Sequence, residues 1–217
     1  MKIKMLSIMF IVFLSISLAG CTIIFQRGRR SDVEKIEELS QQVDELTQAQ
    51  RLLEDRLSQE IRDKQVKLER MEKGLVITFV ADVLFDSGKA ELKPEAFSSL
   101  KKVARVLKEN VPELRVGVEG HTDNQPIKMS GWKSNWELSS ARALSVLHYL
   151  ADQEGVKSER LSAIAYGEFH SVASNDTKEN RHLNRRVEVV IIPQVTKVKK
   201  TALKQTPVVE VPEEKLK

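Results

Sequence analysis

The chain has 217 residues, with 35 Lys and Arg against 31 Asp and Glu, a formal net charge of +4. That length accommodates one good-sized domain with additional segments, or two small domains. A charge this close to balance argues against a general nucleic-acid binder, and a single cysteine excludes an internal disulfide framework, a Cys-based structural zinc site and an iron–sulfur cluster.

Lys2 and Lys4 open the chain, and Met5 to Leu18 is an apolar run relieved only by Ser7, Ser15 and Ser17. A basic end followed by a hydrophobic stretch is the layout of a secretory signal. The run closes on Leu18-Ala19-Gly20-Cys21, which resembles the lipobox of bacterial lipoproteins. The resemblance implies a signal peptide over 1–20, cleavage before Cys21, and acylation of both the Cys21 thiol and its new amino group. Several acyl chains on one residue exceed what stable membrane anchoring requires. Thr22 stands where an Asp would signal retention in the inner membrane of enterobacterial-type lipoproteins, so the expected location is the outer membrane, with 21–32 as lipidated terminus and linker. The competing reading is an uncleaved anchor, since the 21 residues from Met5 to Phe25 carry no charge and are long enough to cross a bilayer. Either way the remainder of the chain is expected outside the cytoplasm.

From Val33 to Lys73 there is neither Pro nor Gly. Ile36, Leu39, Val43, Leu46, Gln50, Leu53 and Leu57 alternate spacings of three and four, a heptad seam. After a stutter at Ile61, Lys64, Leu68, Met71 and Leu75 resume the pattern. The expectation is a coiled-coil stalk over 33–74 that joins copies of the chain into a homo-oligomer. The alternative is a helix folded against its own domain.

Leu75 to Ala81 is apolar and rich in β-formers, and Asp86-Ser87-Gly88-Lys89 is a turn cluster. Pro94 suits a first helical position, with Ala96, Leu100, Val103 and Leu107 following at helical spacing. Leu114 to Val118 alternates as a half-buried strand. Ser134 to Asp152 reads as a second helix opening on the capping box Ser134-Asn135-Trp136-Glu137. Leu161 to Tyr166 and Val187 to Ile192 are further strands. The order is βαβαββ, an α/β sandwich over 75–193, followed by a tail at 194–217 that has no period and reads as disordered.

Four stretches of this region resemble the OmpA-like peptidoglycan-binding domain shared by OmpA, the Pal lipoprotein and the flagellar stator protein MotB. They are Phe85-Asp86-Ser87-Gly88-Lys89-Ala90-Glu91-Leu92, then Gly120-His121-Thr122-Asp123-Asn124, then the helix pattern Asn135, Leu138, Ser139, Arg142, Ala143, Val146, Leu150, and last Asn184-Arg185-Arg186-Val187-Glu188. The segment from Ile127 to Lys133 is longer than in Pal-type members and looks most like the MotB branch.

The ligand implied by the resemblance is the diaminopimelate of a peptidoglycan stem peptide, whose free end is a zwitterion. Such an end needs an acceptor for its ammonium and a fork for its carboxylate, chemistry that Asp123 and Arg142 can supply. Asn135, Leu138 and Arg142 share one helix face. The family implies supporting contacts from Thr122, Asn135, Leu138 (by its backbone) and Arg185. A merely structural Asp–Arg ion pair is the competing reading of Asp123 and Arg142.

The expected function is therefore an outer-membrane lipoprotein that tethers the membrane non-covalently to peptidoglycan. The alternative is an inner-membrane-anchored, MotB-like envelope or motor-associated protein. Met5 to Phe25 holds no Asp or Glu to relay a driving ion. His121, His148, His170 and His182 show no metal-ligand spacing and no nucleophile motif is present, so neither enzymatic activity nor a metal or cofactor is expected.

Overall fold

The computed structural model describes residues 32–127 and 131–193. The expected signal peptide, Cys21 and the tail at 194–217 lie outside the described residues. Among the described residues no helix is long and apolar enough to cross a membrane.

A long helix, α1, runs over 32–56. A short helix α2 (Ser58–Arg62) follows, and then the hairpin β1 (Val66–Met71) and β2 (Gly74–Val80). One helical turn, α3 (Ala81–Leu84), leads into a loop closed by a bridge between Phe85 and Leu92. The remaining order is α4 (Ala96–Glu109), β3 (Arg115–His121), α5 (Asn135–His148), a π-helical turn (Tyr149–Gln153), a 3-10 turn (Ser158–Arg160), β4 (Leu161–Gly167), α6 (Lys178–Asn184) and β5 (Arg186–Ile192). The five strands form one sheet in the order β1-β2-β5-β3-β4. Only β3 and β4 are parallel, joined through α5, which supplies the long crossover that a parallel pair requires.

Alternation along the strands decides which residues meet the helices. Leu75, Ile77 and Phe79 of β2, Val116 and Val118 of β3, and Val187, Val189 and Ile191 of β5 are buried in one apolar cluster with Leu100, Val103 and Leu107 of α4 and Ala143 and Val146 of α5. The opposite face carries polar groups: Glu119 and His121 on β3 and Arg186 and Glu188 on β5, all buried.

The helical bound of the expected stalk over 33–74 is corrected. Helix ends at Arg62, Lys64 adopts a left-handed backbone (φ 57°), and Val66–Met71 is a strand paired with β2 in the register Val66↔Phe79 to Met71↔Gly74. Leu46, Ala49, Leu53 and Leu57 are buried in the domain's own core rather than along a seam between chains. The physical reason is that the later part of α1 is covered by the domain itself: its buried residues join the common core, Arg56 lies 3.7 Å from Glu109 of α4, and Arg70 of β1 donates to Thr47 at 3.0 Å. Towards its start α1 leaves Ile36, Leu39 and Val43 exposed. Leu68 and Met71 satisfy the helical spacing, but they belong to the strand Val66–Met71, whose opening Val66-Lys67-Leu68-Glu69 also alternates apolar and polar.

Three smaller differences follow. The domain has a strand before the expected first one. The connection between the last two strands contains α6, started by Thr177, whose side chain accepts from the Asn180 N–H at 3.2 Å. Finally α4 begins at Ala96, and Pro94 sits in the turn before it, with its carbonyl accepting from the Phe97 N–H at 3.3 Å.

Candidate functional site

The site lies where the end of β3, the start of α5, the loop after α3 and the end of α6 converge. Two local features bring these elements together. Gly120 lets β3 approach α5 without obstruction: a Cβ there would lie 2.1 Å from the Ser139 carbonyl oxygen. Ser134 caps α5, accepting from the Glu137 N–H at 3.4 Å, while the Glu137 carboxylate accepts from the Lys133 N–H at 2.8 Å. The capping box therefore reaches one residue further back than expected and pins the end of the long loop as well as the helix.

All six residues expected from the sequence line one cleft of about 980 Å³: Thr122, Asp123, Asn135, Leu138, Arg142 and Arg185. The Thr122 N–H bonds to the Gly167 carbonyl at 2.8 Å, which extends the β3–β4 pairing by one residue and presents Asp123 at the strand's end. The Asp123 carboxylate accepts from the Gln125 N–H at 3.1 Å and from Arg185 at 2.9 Å. Asn135 donates to the carbonyls of Asp123 and Gln125, both at 3.2 Å, and to the Glu168 carboxylate at 2.6 Å. Leu138 is buried, and its N–H bonds to the Ser134 carbonyl at 3.2 Å within the helix, so that donor is already engaged.

Arg142 is held differently from its expected partner. Its Nε donates to the Lys89 carbonyl at 2.9 Å and its Nη2 to the Asp86 carbonyl at 3.3 Å, and the guanidinium lies 5.1 Å from the centre of the Phe85 ring. Among the described residues it forms no ion pair with a carboxylate. Burial pushes its pKa down to about 10, with Asp82 and Asp123 opposing the shift, so it remains a cation at neutral pH. A buried guanidinium fixed by backbone carbonyls on one side is a receptor for an anion on the other.

Arg185 joins two carboxylates, Asp123 and Asp82, the latter at 3.2 Å. Asp82 also meets His182 Nδ1 at 3.0 Å. Burial opposes the charge on Asp82 and on Arg185, but the ion pairs prevail: Arg185 holds Asp82 below its ordinary value, and Asp123 with Asp82 holds Arg185 above its own. Asp82 lines the cleft and was not expected from the sequence, and His182 lies outside the lining but braces Asp82. Neither falls in a quoted motif, and they are brought together across 100 positions. The loop 85–89 was legible as a motif, but its role, offering carbonyls to Arg142, appears only in the fold. Trp132 ties the long loop to it by donating to the Gly88 carbonyl at 2.8 Å.

Residues 84–185 match the OmpA family, and they contain the whole of this constellation except Asp82. The C-terminal domain belongs to the OmpA family. Over 166 residues the chain is 36% identical to "Motility protein B" of Bacillus subtilis, covering 76% of this chain and 59% of that protein. It is also 36% identical over 140 residues to "Probable lipoprotein YiaD" of Escherichia coli, covering 64% of this chain and 61% of that one. The chain thus spans about three-fifths of the length of these two relatives. Among solved structures, the cell wall anchor of the T6SS from Pseudomonas aeruginosa superposes with a TM-score of 0.59 at 33% identity, covering 65% of this chain and 97% of that one.

A second polar cluster of this OmpA family domain lies on the sheet face away from the helices. Glu119, His121 and Glu188 place one ligand atom each within 4.8 Å of one another, a spacing that could hold a cation. The Lys73 ammonium fills that role, at 2.6 Å from both carboxylates, and Arg186 adds a 2.6 Å bond to Glu188. His121 is buried, neither ring nitrogen has a hydrogen-bond partner among the described residues, Nε2 lies 3.9 Å from Glu188 and 4.0 Å from Glu119, and burial together with the nearby Arg186 charge holds its pKa down near 3.

Proposed function

We propose that the protein anchors a bacterial membrane non-covalently to peptidoglycan by holding the zwitterionic end of diaminopimelate between Asp123 and Arg142. The observation that carries this reading is the state of Arg142. It is 3% exposed, charged, bonded to carbonyls alone among the described residues, and it lines the same cleft as Asp123. A ligand carboxylate would give it its first anionic partner. The Asp123 carboxylate retains lone pairs beyond those used by Gln125 and Arg185, and these can accept an ammonium. Nothing in this scheme breaks a covalent bond, so the site is read as a binding site and not a catalytic one.

At the other end, acylation of Cys21 would fix the chain in the outer membrane. The likeness to a probable lipoprotein supports this arrangement. The likeness to a motility protein supports the alternative, an inner-membrane anchor formed by the apolar stretch 5–25. Exposed Ile36, Leu39 and Val43 on α1 support association between copies close to the membrane.

Co-sedimentation with purified peptidoglycan sacculi tests the clamp. The wild type is expected in the pellet and Asp123→Ala and Arg142→Ala in the supernatant, each checked for folding by circular dichroism. Pelleting of both folded variants would overturn the clamp. Metabolic labelling with a fatty-acid analogue tests the anchor: label on the wild type, lost in Cys21→Ser, supports the lipoprotein, and an unlabelled wild type supports the membrane-spanning alternative.

A further inference from the structure

The polar cluster on the sheet face away from the helices holds one group that charge balance does not explain. Lys73 bonds to Glu119 and Glu188 at 2.6 Å and Arg186 bonds to Glu188 at 2.6 Å, so both buried acids have cationic partners. His121 stands between the same acids at 3% exposure, and neither of its ring nitrogens has a hydrogen-bond partner among the described residues. A buried polar group left in this way carries a desolvation cost that native folds seldom accept without a use for it. Its Nε2 is turned into the cluster, 4.0 Å from Glu119 Oε2 and 3.9 Å from Glu188 Oε1, too far for a hydrogen bond to either.

Those distances suit a shared ion. Two ligands about 2.1 Å from a tetrahedral zinc ion stand roughly 3.4 Å apart, so the three groups need to close by only about half an ångström. Their positions are set by the sheet itself. Glu119 and Glu188 are register partners on β3 and β5, and His121 lies two residues beyond Glu119 on the same face. Second contacts orient the ligands, as metal sites require. The His121 ring stacks on Tyr166 with centres 5.0 Å apart and planes 21° apart, and the Arg186 Nε fixes one oxygen of Glu188. No spacing in the sequence announces this set, because Glu188 comes from a different strand.

An entry path is present as well. Glu188 lines a cavity of about 750 Å³ shared with Thr78, Leu183 and Arg186, and this cavity shares no lining residue with the Asp123–Arg142 cleft. Lys73 lies in the turn between β1 and β2 with its side chain 38% exposed. Its long flexible stem allows the ammonium to withdraw into solvent. Lys73 is thus an internal competitor for the position between the carboxylates, and it leaves the imidazole unused.

We infer that Glu119, His121 and Glu188 form a binding site for a divalent transition metal of the zinc class, which enters by displacing the Lys73 ammonium. One imidazole with two carboxylates suits zinc better than magnesium or calcium, which favour oxygen ligands alone. Three protein ligands leave the fourth position to water. The bound ion would join β3 to β5 directly behind Asp123 and Arg185. The inference does not depend on the clamp reading, since no clamp residue is a ligand.

Equilibrium dialysis of the full chain in detergent micelles against zinc chloride tests the site, with each variant checked for folding by circular dichroism. The wild type is expected to hold one equivalent of zinc that His121→Phe and Glu119→Gln each lose. His148→Ala, at an exposed histidine beside Asp152, is expected to keep it. Lys73→Met keeps the stem and removes the competing charge, and is expected to bind zinc about tenfold or more tightly than wild type. A merely structural role for the cluster would not produce that gain. Retention of the full equivalent by folded His121→Phe would assign the zinc to exposed groups and overturn the site. Binding by Lys73→Met alone would overturn it for the native protein, and equal affinity of Lys73→Met and wild type would overturn the displacement. If Lys73→Met does not fold, His121→Phe and Glu119→Gln still decide the matter.

Discussion

Asp123 is paired with Arg185 at 2.9 Å, whereas Arg142, on the same cleft, is bonded to the carbonyls of Lys89 and Asp86. The two arginines therefore have different work. Arg185 balances the charge of Asp123 and Asp82 and sets the direction of the acid. Arg142 is left with its charge facing the cleft. A simple Asp123–Arg142 ion pair, the competing reading of the sequence, is not what the fold builds.

Arg142→Lys separates charge from shape. A lysine keeps the positive charge, but it cannot bridge two carbonyls and a ligand carboxylate at once, because it lacks the planar fork. Binding to sacculi is expected to fall by at least about tenfold, the scale of a lost charge-assisted bidentate contact. Thermal unfolding is expected to shift by the loss of no more than about 2 kcal/mol, the scale of one or two hydrogen bonds. Wild-type binding by the lysine variant would show that charge alone suffices.

Gly120→Ala tests the close approach of β3 to α5. The added Cβ would stand 2.1 Å from the Ser139 carbonyl oxygen and 2.8 Å from its carbon, and neither is a flexible side-chain end. Separating strand from helix would also move Asp123 away from Asn135. Destabilisation of about 2 kcal/mol or more is expected, in the range of overpacked sites, together with loss of sacculus binding. Denaturant unfolding checks the first effect and co-sedimentation the second.

Arg160 holds the far end of α4. It is 8% exposed and donates to the carbonyls of Leu107, Val111 and Leu114 at 3.0, 2.6 and 2.8 Å. It thus satisfies the end of the helix and the turn that leads into β3. Arg160→Ala leaves three carbonyls without this donor and is expected to cost about 2–4 kcal/mol, since each unsatisfied buried group carries its own penalty. Peptidoglycan binding by the folded fraction is expected to be unchanged, because the residue is absent from the cleft lining.

His121 gives the domain a pH dependence whose sign is fixed. Its pKa is about 6.5 when unfolded and about 3 in the fold, where burial excludes the charged form. Above pH 6.5 it is neutral in both states and contributes no slope. Below that, the unfolded chain takes up a proton that the folded chain refuses, so stability falls as the pH drops towards 3. His121→Phe removes the titration and two ring nitrogens that lack a hydrogen-bond partner among the described residues. The variant is expected to lose less stability than the wild type between pH 6.5 and 4, by urea unfolding at each pH. Parallel curves for the two proteins would assign the acid sensitivity elsewhere, Glu188 being the first alternative because its lowered pKa, held down by Lys73 and Arg186 against burial, acts in the same direction.

Much of this was legible in the chain because its signals are local. The capping residue Ser134, the spacing of Ala96, Leu100, Val103 and Leu107, and the glycine of Gly120-His121-Thr122-Asp123 each report a short-range requirement. The residues missed are those whose roles depend on distant partners. Asp82 acquires its role from Arg185, 103 positions away, and Lys73 from Glu188, 115 positions away. Nothing near either residue in the sequence announces such a partner. The segment 33–74 failed for another reason. A heptad pattern states that one side of a helix is covered, but it does not state by what.

That last ambiguity can be resolved by comparing two pairs of leucine and isoleucine sites along α1 and its junction with α2. Leu53 and Leu57 are fully buried in the domain core, while Ile36 is 67% and Leu39 47% exposed. If α1 belongs to the domain, Leu53→Ala and Leu57→Ala should each destabilise it by about 2–5 kcal/mol, the usual cost of emptying a buried leucine site. The transition should be independent of protein concentration, because both leucines pack within one chain. Ile36→Ala and Leu39→Ala should leave that transition within about 0.5 kcal/mol of wild type, as for other exposed positions. Their effect, if copies of the chain associate, should appear in sedimentation equilibrium as a weaker oligomer. A concentration-dependent destabilisation at Leu53 or Leu57 would instead return the whole of α1 to the stalk.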